Sequence, residues 1–203
     1  SYFKVLKQFD RMPPHPHLLP LAIAMFTEFG PTNMTFEEYE EAVKRSCSGF
    51  GINYSVKSGN DFRIIINTHC LEEKTKDMVK LLSDTLIKVD YTRLQRLKSQ
   101  IASTAASLSN AVSSSGHQYA LSVALSRLAG DGRFGMKDVF GGLVQAEMMQ
   151  KLALVDDDKA LEETIGKIRE IHQFLVEGQG KVRVSSISTS PGQADLIVNK
   201  IGS

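Results

Sequence analysis

Phe50-Gly51-Ile52-Asn53-Tyr54-Ser55-Val56 and Phe62-Arg63-Ile64-Ile65-Ile66-Asn67-Thr68-His69-Cys70 stand on either side of Ser58-Gly59-Asn60-Asp61. Phe50, Ile52, Tyr54 and Val56 recur at every second position, as do Phe62, Ile64, Ile66, Thr68 and Cys70. A period of two places one apolar row on a buried face, and Ser-Gly-Asn-Asp is turn chemistry. Residues 50–70 therefore read as an antiparallel hairpin.

Outward from the hairpin the period changes. On the N-terminal side, Thr35-Phe36-Glu37-Glu38 is a capping box that opens a helix running to about Cys47. Before it, an apolar helix begins near Pro20 and runs to about Phe29, where Gly30-Pro31 stops it. Met12-Pro13-Pro14-His15-Pro16-His17 predicts an extended linker, since a residue before proline is held out of the helical region. Tyr2 to Phe9 reads as a strand already under way, with no initiator Met, as in a piece of a longer protein.

On the C-terminal side, Met78, Leu81, Leu82, Thr85, Leu86 and Val89 make one helical face. Leu94, Leu97, Ile101, Ala105, Leu108 and Val112 make a second, interrupted at Ser113-Ser114-Ser115-Gly116. Ser115 can cap a following helix that begins near His117. Glycines from Gly130 to Gly142 predict a loop, and Leu143 to Leu154 a helix. Asp156-Asp157-Asp158 suits the start of another helix, with Leu161, Ile165, Ile168 and Leu175 on its face. Lys181 to Ser188 alternates as a strand, and Pro191 to Ile201 is expected to start a further helix. Strands in neighbouring pairs with helices in runs predict an α+β fold, helices layered on an antiparallel sheet.

The 203 residues suit one domain, or one domain with an appendage. Lys and Arg number 24 against 23 Asp and Glu, a balance that does not favour nucleic acid or an anionic membrane as partner. The longest apolar candidate, Leu18 to Phe26, is about half the roughly 18–20 residues a membrane span needs. Cys47 and Cys70 are too few for a disulfide scaffold and read as buried free thiols.

Neither HExxH nor HxxEH occurs, so the chain lacks the usual zinc-hydrolase constellations. His15 and His17 read as solvated linker residues, and His69 as a strand-end residue facing solvent. Ser115 and His117 could be imagined as a nucleophile and base, but a serine at a helix start reads as a cap. The Asp156–Asp158 run lacks the spaced oxygens of a calcium loop and reads as a cap too. Arg93, Arg96 and Lys98 read as a solvated helix face, and His172 is given no role. No residue is assigned as catalytic, cofactor-binding or metal-ligating.

Several runs nevertheless resemble a known family in order and spacing. They are Tyr2-Phe3-Lys4, Leu19-Pro20-Leu21 with Phe29-Gly30, Gly49-Phe50-Gly51, Cys70-Leu71-Glu72, Ser115-Gly116-His117-Gln118-Tyr119-Ala120 and Val182-Arg183-Val184-Ser185. The chain is similar along nearly its whole length to presequence proteases, pitrilysin-like zinc peptidases that carry an inverted HxxEH motif. The match is to a non-catalytic homologous domain in the later half of those proteins. This resemblance implies a pitrilysin-type α/β roll over residues 1–203, with 1–12 as strand and linker and 189–203 leading to a next domain. Where the active copy carries HxxEH, this chain has Leu21-Ala22-Ile23-Ala24-Met25, and no His, Cys, Asp or Glu falls between Leu18 and Thr27.

The resemblance further implies a parent zinc metalloendopeptidase whose two halves enclose a chamber for unfolded peptides such as cleaved targeting presequences. Zinc would be held by its catalytic domain, and none by this segment. Partners would be the other domains of the same polypeptide and the peptide substrates, in the mitochondrial matrix. An inactive processing-peptidase-like structural subunit, or an α+β interaction domain, is the alternative.

Overall fold

The computed structural model describes residues 1–56, 62–128, 142–155 and 157–188. The hairpin forms as its alternation predicts: β2 (Gly51–Val56) pairs antiparallel with β3 (Phe62–His69), Ile52 opposite Ile66 and Val56 opposite Phe62. The connecting Ser58–Asp61 turn lies outside the described residues. β1 (Tyr2–Phe9) pairs with β3, and on its other side with β4 (Lys181–Ile187). The sheet order is β2-β3-β1-β4, antiparallel throughout.

Six α-helices accompany the sheet among the described residues: α1 (Leu19–Phe29), α2 (Phe36–Ser46), α3 (Thr75–Ile87), α4 (Leu94–Leu128), α5 (Leu143–Ala153) and α6 (Asp158–Glu177). This is the expected α+β architecture of helices on an antiparallel sheet.

One face of the sheet carries the core. Phe3 and Phe9 of β1 and Phe62, Ile64 and Ile66 of β3 are buried against Leu21, Ala22, Met25 and Phe26 of α1 and Ile165, Ile168 and Ile171 of α6. Each large apolar side chain so buried contributes roughly 1.5–3 kcal/mol. Helix α3 adds Met78, Val79 and Leu82, and α4 adds Leu97 and Ile101.

Local chemistry sets the helix ends. Thr35 Oγ1 accepts from Glu38 N at 3.2 Å, and Thr35 N donates to Glu38 Oε2 at 2.8 Å, which closes the capping box. Asp157 caps α6 by accepting from Lys159 N at 3.0 Å, while Asp156 lies outside the described residues. Gly30 ends α1 at φ 61°, ψ −179°, a region essentially reserved for glycine. The Ser113–Gly116 interruption narrows to one residue: Ser115 leaves helical geometry at φ −131°, ψ 31° within an otherwise continuous α4. The expected 130–141 loop and 191–201 helix lie outside the described residues.

Three expectations are corrected. The proline segment is not simply extended and solvated. Pro13 is buried and Pro16–Leu18 forms a 3-10 turn. His15 adopts φ 47°, ψ 54°, so its carbonyl can accept from Leu18 N at 2.8 Å. Cys47 and Cys70 are free but half-buried, because both sit at element ends where the core thins.

Arg93, Arg96 and Lys98 are not a solvated face. Arg93 pairs with Asp90 at 2.9 Å and donates to Met34 O at 2.8 Å. Arg96 lies 3.2 Å from the centroid of the Phe36 ring, and Lys98 pairs with Asp158 at 3.3 Å. Helical spacing exposes a side to whatever packs there, and here the start of α2 and the start of α6 pack against it.

Candidate functional site

Helix α1 occupies the position where the resemblance implies a metal-holding helix, so its surroundings decide what chemistry it can do. Pro20 sits in its first turn, where a missing N–H costs nothing, and starts an almost wholly apolar run. Leu19, Leu21, Ala22, Met25, Phe26 and Phe29 are all 0–1% exposed. Its first polar side chains come late. Thr27 donates to Ala24 O at 3.1 Å, and Glu28 meets Arg96 at 3.8 Å.

The one titratable group packed on the middle of this helix, among the described residues, is His172 from α6. It is 2% exposed and stacks on Phe26 with centroids 3.7 Å apart and planes 17° apart. Its Nε2 lies 2.6 Å from Ala22 O and its Nδ1 lies 2.9 Å from Tyr91 Oη. These partners assign the tautomer: Nε2–H donates to the carbonyl, and Nδ1 accepts from the phenol. Burial pushes the imidazole down to about 4, opposed in part by the Ala22 bond. Burial likewise raises the Tyr91 hydroxyl to about 12, against the pull of Arg169, whose guanidinium lies 4.8 Å from the ring.

Both groups are neutral near pH 7, and each is satisfied by the other. The cluster can clamp α6 and the residues after α3 onto α1, and it holds no proton ready for transfer. Sequence reasoning gave His172 no role. The signal was present: Leu161, Ile165, Ile168, His172 and Leu175 follow one another at steps of four and three, one helical face.

The remaining candidates stay apart. His15 Nε2 meets Glu170 Oε2 at 2.9 Å, and the His17 ring centroid is 6.3 Å from that of His15. His69 is exposed at the end of β3, as expected, with Nδ1 2.9 Å from Ser48 Oγ. The same hydroxyl lies 3.3 Å from His69 O, so it ties the turn after α2 to β3. Ser115 marks the break in α4, and His117 beyond it is exposed. Asp157 and Asp158 serve as cap and ion-pair partner. Among the described residues no three His, Cys, Asp or Glu side chains converge on one point.

A shallow cleft of about 220 Å³ lies between Ser48–Gly51 and Asn67–His69. Asn67 Oδ1 is buried there without a hydrogen-bond partner. Gly51 makes room for it, since a Cβ at 51 would stand 2.5 Å from that oxygen. Ser48 and His69, already bonded to each other, are its only hydroxyl–imidazole pair, and no carboxylate is among its lining residues.

The family model that matches this chain describes a region associated with peptidases of family M16, subfamily C, and covers residues 1–152. The chain is 25% identical over 207 residues to the mitochondrial presequence protease of Yarrowia lipolytica, covering 98% of this chain and 21% of that protein. To the mitochondrial presequence protease of Aspergillus fumigatus it is 26% identical over 215 residues, with 98% and 20% covered. To that of Mus musculus it is 23% identical over 182 residues, with 86% and 17% covered. Among solved structures, a conserved protein from Enterococcus faecalis V583 superposes with a TM-score of 0.63 at 13% identity, covering 98% of this chain and 47% of that one. That likeness speaks for the fold alone. The chain thus spans about a fifth of the length of its curated relatives, and it belongs to the family of regions associated with subfamily C of the M16 peptidases.

Proposed function

We propose that this chain is a non-catalytic domain that forms part of the chamber wall of a zinc endopeptidase acting on unfolded peptides, such as cleaved targeting presequences. In this reading residues 1–203 are one domain of a longer polypeptide, with 189–203 leading to the next. Metal, water and glutamate base belong to another domain. The protein works in the mitochondrial matrix, a placement supported by relatives that are named as mitochondrial.

The observation that carries the reading is the burial of α1. A metal-holding helix must turn imidazole and carboxylate groups toward a wet cavity. Here Leu21, Ala22 and Met25 are packed in the core, and the helix carries no His, Cys, Asp or Glu before Glu28. The donor set does not fit zinc, and no step of peptide hydrolysis is routed through this segment.

The test compares the full-length parent chain with residues 1–203. The parent should cleave an unfolded peptide of about 30 residues, lose that activity to a chelator, and spare a folded protein. The 1–203 segment should cleave neither. Chelator-sensitive hydrolysis by the segment alone would overturn the reading.

A further inference from the structure

The helix layer covers the sheet unevenly. On the face that carries Phe3 and Phe9, register sets Ser186, Val184 and Val182 of β4 beside Phe3, Val5 and Lys7 of β1. Phe3, Phe9, Phe62 and Ile64 are 0–4% exposed there, and Ile52, Tyr54 and Val56 of β2 are half-buried against the same core. Toward the other edge the cover thins. Val5 and Val184 are half-buried, and Val182 is 52% exposed. Val176, in the last turn of α6, is 36% exposed. Its carbonyl accepts from Lys7 Nζ at 2.7 Å, which brings the end of α6 beside Val182, the partner of Lys7 in register. Helix α6 thus stops at the margin of a strip of four valines that the described residues leave partly uncovered.

Residues 189–203, which lie outside the described residues, continue directly from this strand. The chain leaves β4 at its Tyr2 end, where Ser188 Oγ donates to Glu72 Oε1 at 2.9 Å and accepts from Ser1 Oγ at 3.3 Å. Beyond it, Ala194, Ile197, Val198 and Ile201 are spaced i, i+3, i+4 and i+7, the pattern of one apolar helical face. Gln193, Asp195, Asn199 and Lys200 fall on the other sides, with Leu196 the one large apolar residue off that face. Ser190 and Pro191 suit the cap and first turn of such a helix. From Pro191 to Ile201 it would be about 16 Å long. Ile187 to Val182 spans about 17 Å along β4, so the two lengths agree.

We infer that the valine strip is the docking surface for residues 191–201, which turn back over β4 as a helix antiparallel to it. Ala194, Ile197, Val198 and Ile201 then cover Val5, Val176, Val182 and Val184. Connection selects this occupant over any separate partner. A segment joined to β4 through Ser188 meets the strip at an effective concentration on the order of millimolar, without having to be captured from solution. The inference is independent of the chamber-wall reading. It makes residues 191–201 part of the core of this domain, not a bare link to whatever follows.

The test uses the full-length parent chain. A benzophenone amino acid in place of Val182, irradiated and then mapped by mass spectrometry, should crosslink to residues within 194–201 of the same molecule. Crosslinks to a second copy, crosslinks to any other region of the parent, or none at all would overturn the inference.

Hydroxyl-radical footprinting of the unaltered protein keeps the inference falsifiable should that variant fail to fold. Relative to intrinsic reactivity, Val182 should be labelled far more slowly than Ile187, which is 72% exposed. Ile197→Asp with Ile201→Asp should raise the labelling of Val182 about threefold or more, because a charged face leaves the strip, while the core residue Phe62 stays protected. Gln193→Asp with Asn199→Asp, off the apolar face, should leave Val182 as it was. A Val182 as reactive as Ile187 in the unaltered protein, or one indifferent to the Ile197 and Ile201 substitutions, would also overturn the inference.

Discussion

His172 is a histidine made into a core residue by its position on α6. Its two ring nitrogens are satisfied by Ala22 O and Tyr91 Oη, and its ring covers Phe26. Unfolded, the imidazole titrates near 6.5; folded, near 4. Between those values the unfolded state binds more protons, so stability is intact above about pH 6.5 and falls as pH drops toward 4. The full loss is on the order of 3 kcal/mol. Urea midpoints measured at about pH 7 and pH 5 should therefore differ, and His172→Gln should flatten that difference; an unchanged slope would show that the ring is not held neutral by the fold. Gly30 makes the complementary case for backbone. At φ 61° a Cβ would be strained and would stand 3.0 Å from Tyr39 Cδ1. Gly30→Ala should cost about 1–3 kcal/mol in a thermal or urea melt.

At the scale of elements, periodicity and capping were readable because they depend on neighbours in the chain. The hairpin, the α2 capping box and the α6 cap all come from residues close to one another in sequence. Thr35→Ala should lower stability by about 1 kcal/mol through the lost Glu38 N bond, read as a shift in the urea midpoint. Ile66→Asp should unfold the domain, because Ile66 is 8% exposed in the row shared with Val5 and Ile52 and would bury an unpaired charge. A cooperative melt of that variant near the parent temperature would refute the placement. The elements that sequence reasoning misjudged were those whose neighbours come from far away. The proline segment turns so that His15 can reach Glu170, 155 positions on. The Arg93–Lys98 stretch looked like a wet helix face because Phe36, Met34 and Asp158 are not its sequence neighbours.

At the scale of the whole molecule, the sheet is closed by segments from opposite ends of the described chain. β1 pairs with β3 on one side and receives β4 on the other, Tyr2 opposite Ile187. Removing residues 181–203 should leave the Tyr2–Gln8 edge unpaired and expose Val5 beside it. The truncated chain should lose stability and self-associate, measured by light scattering alongside its melt. A truncated form as stable as residues 1–203, and no more self-associated, would show that β4 is dispensable to the sheet.

Local pattern alone determined the hairpin strands, the spans of α1, α2, α5 and α6, the capped starts and the apolar character of α1, since each depends on spacing and turn chemistry along a short stretch. From the same pattern came the absence of a zinc motif. Tertiary structure alone decided that β1 lies between β3 and β4, that His172 is neutral and clamped to α1, and that Arg93 and Arg96 are structural. It also set Lys4, Arg63, Lys181 and Arg183 on the sheet face away from Phe3, Phe9 and Phe62. These depend on register and packing between segments far apart in sequence, where no periodicity reports which side chain meets which.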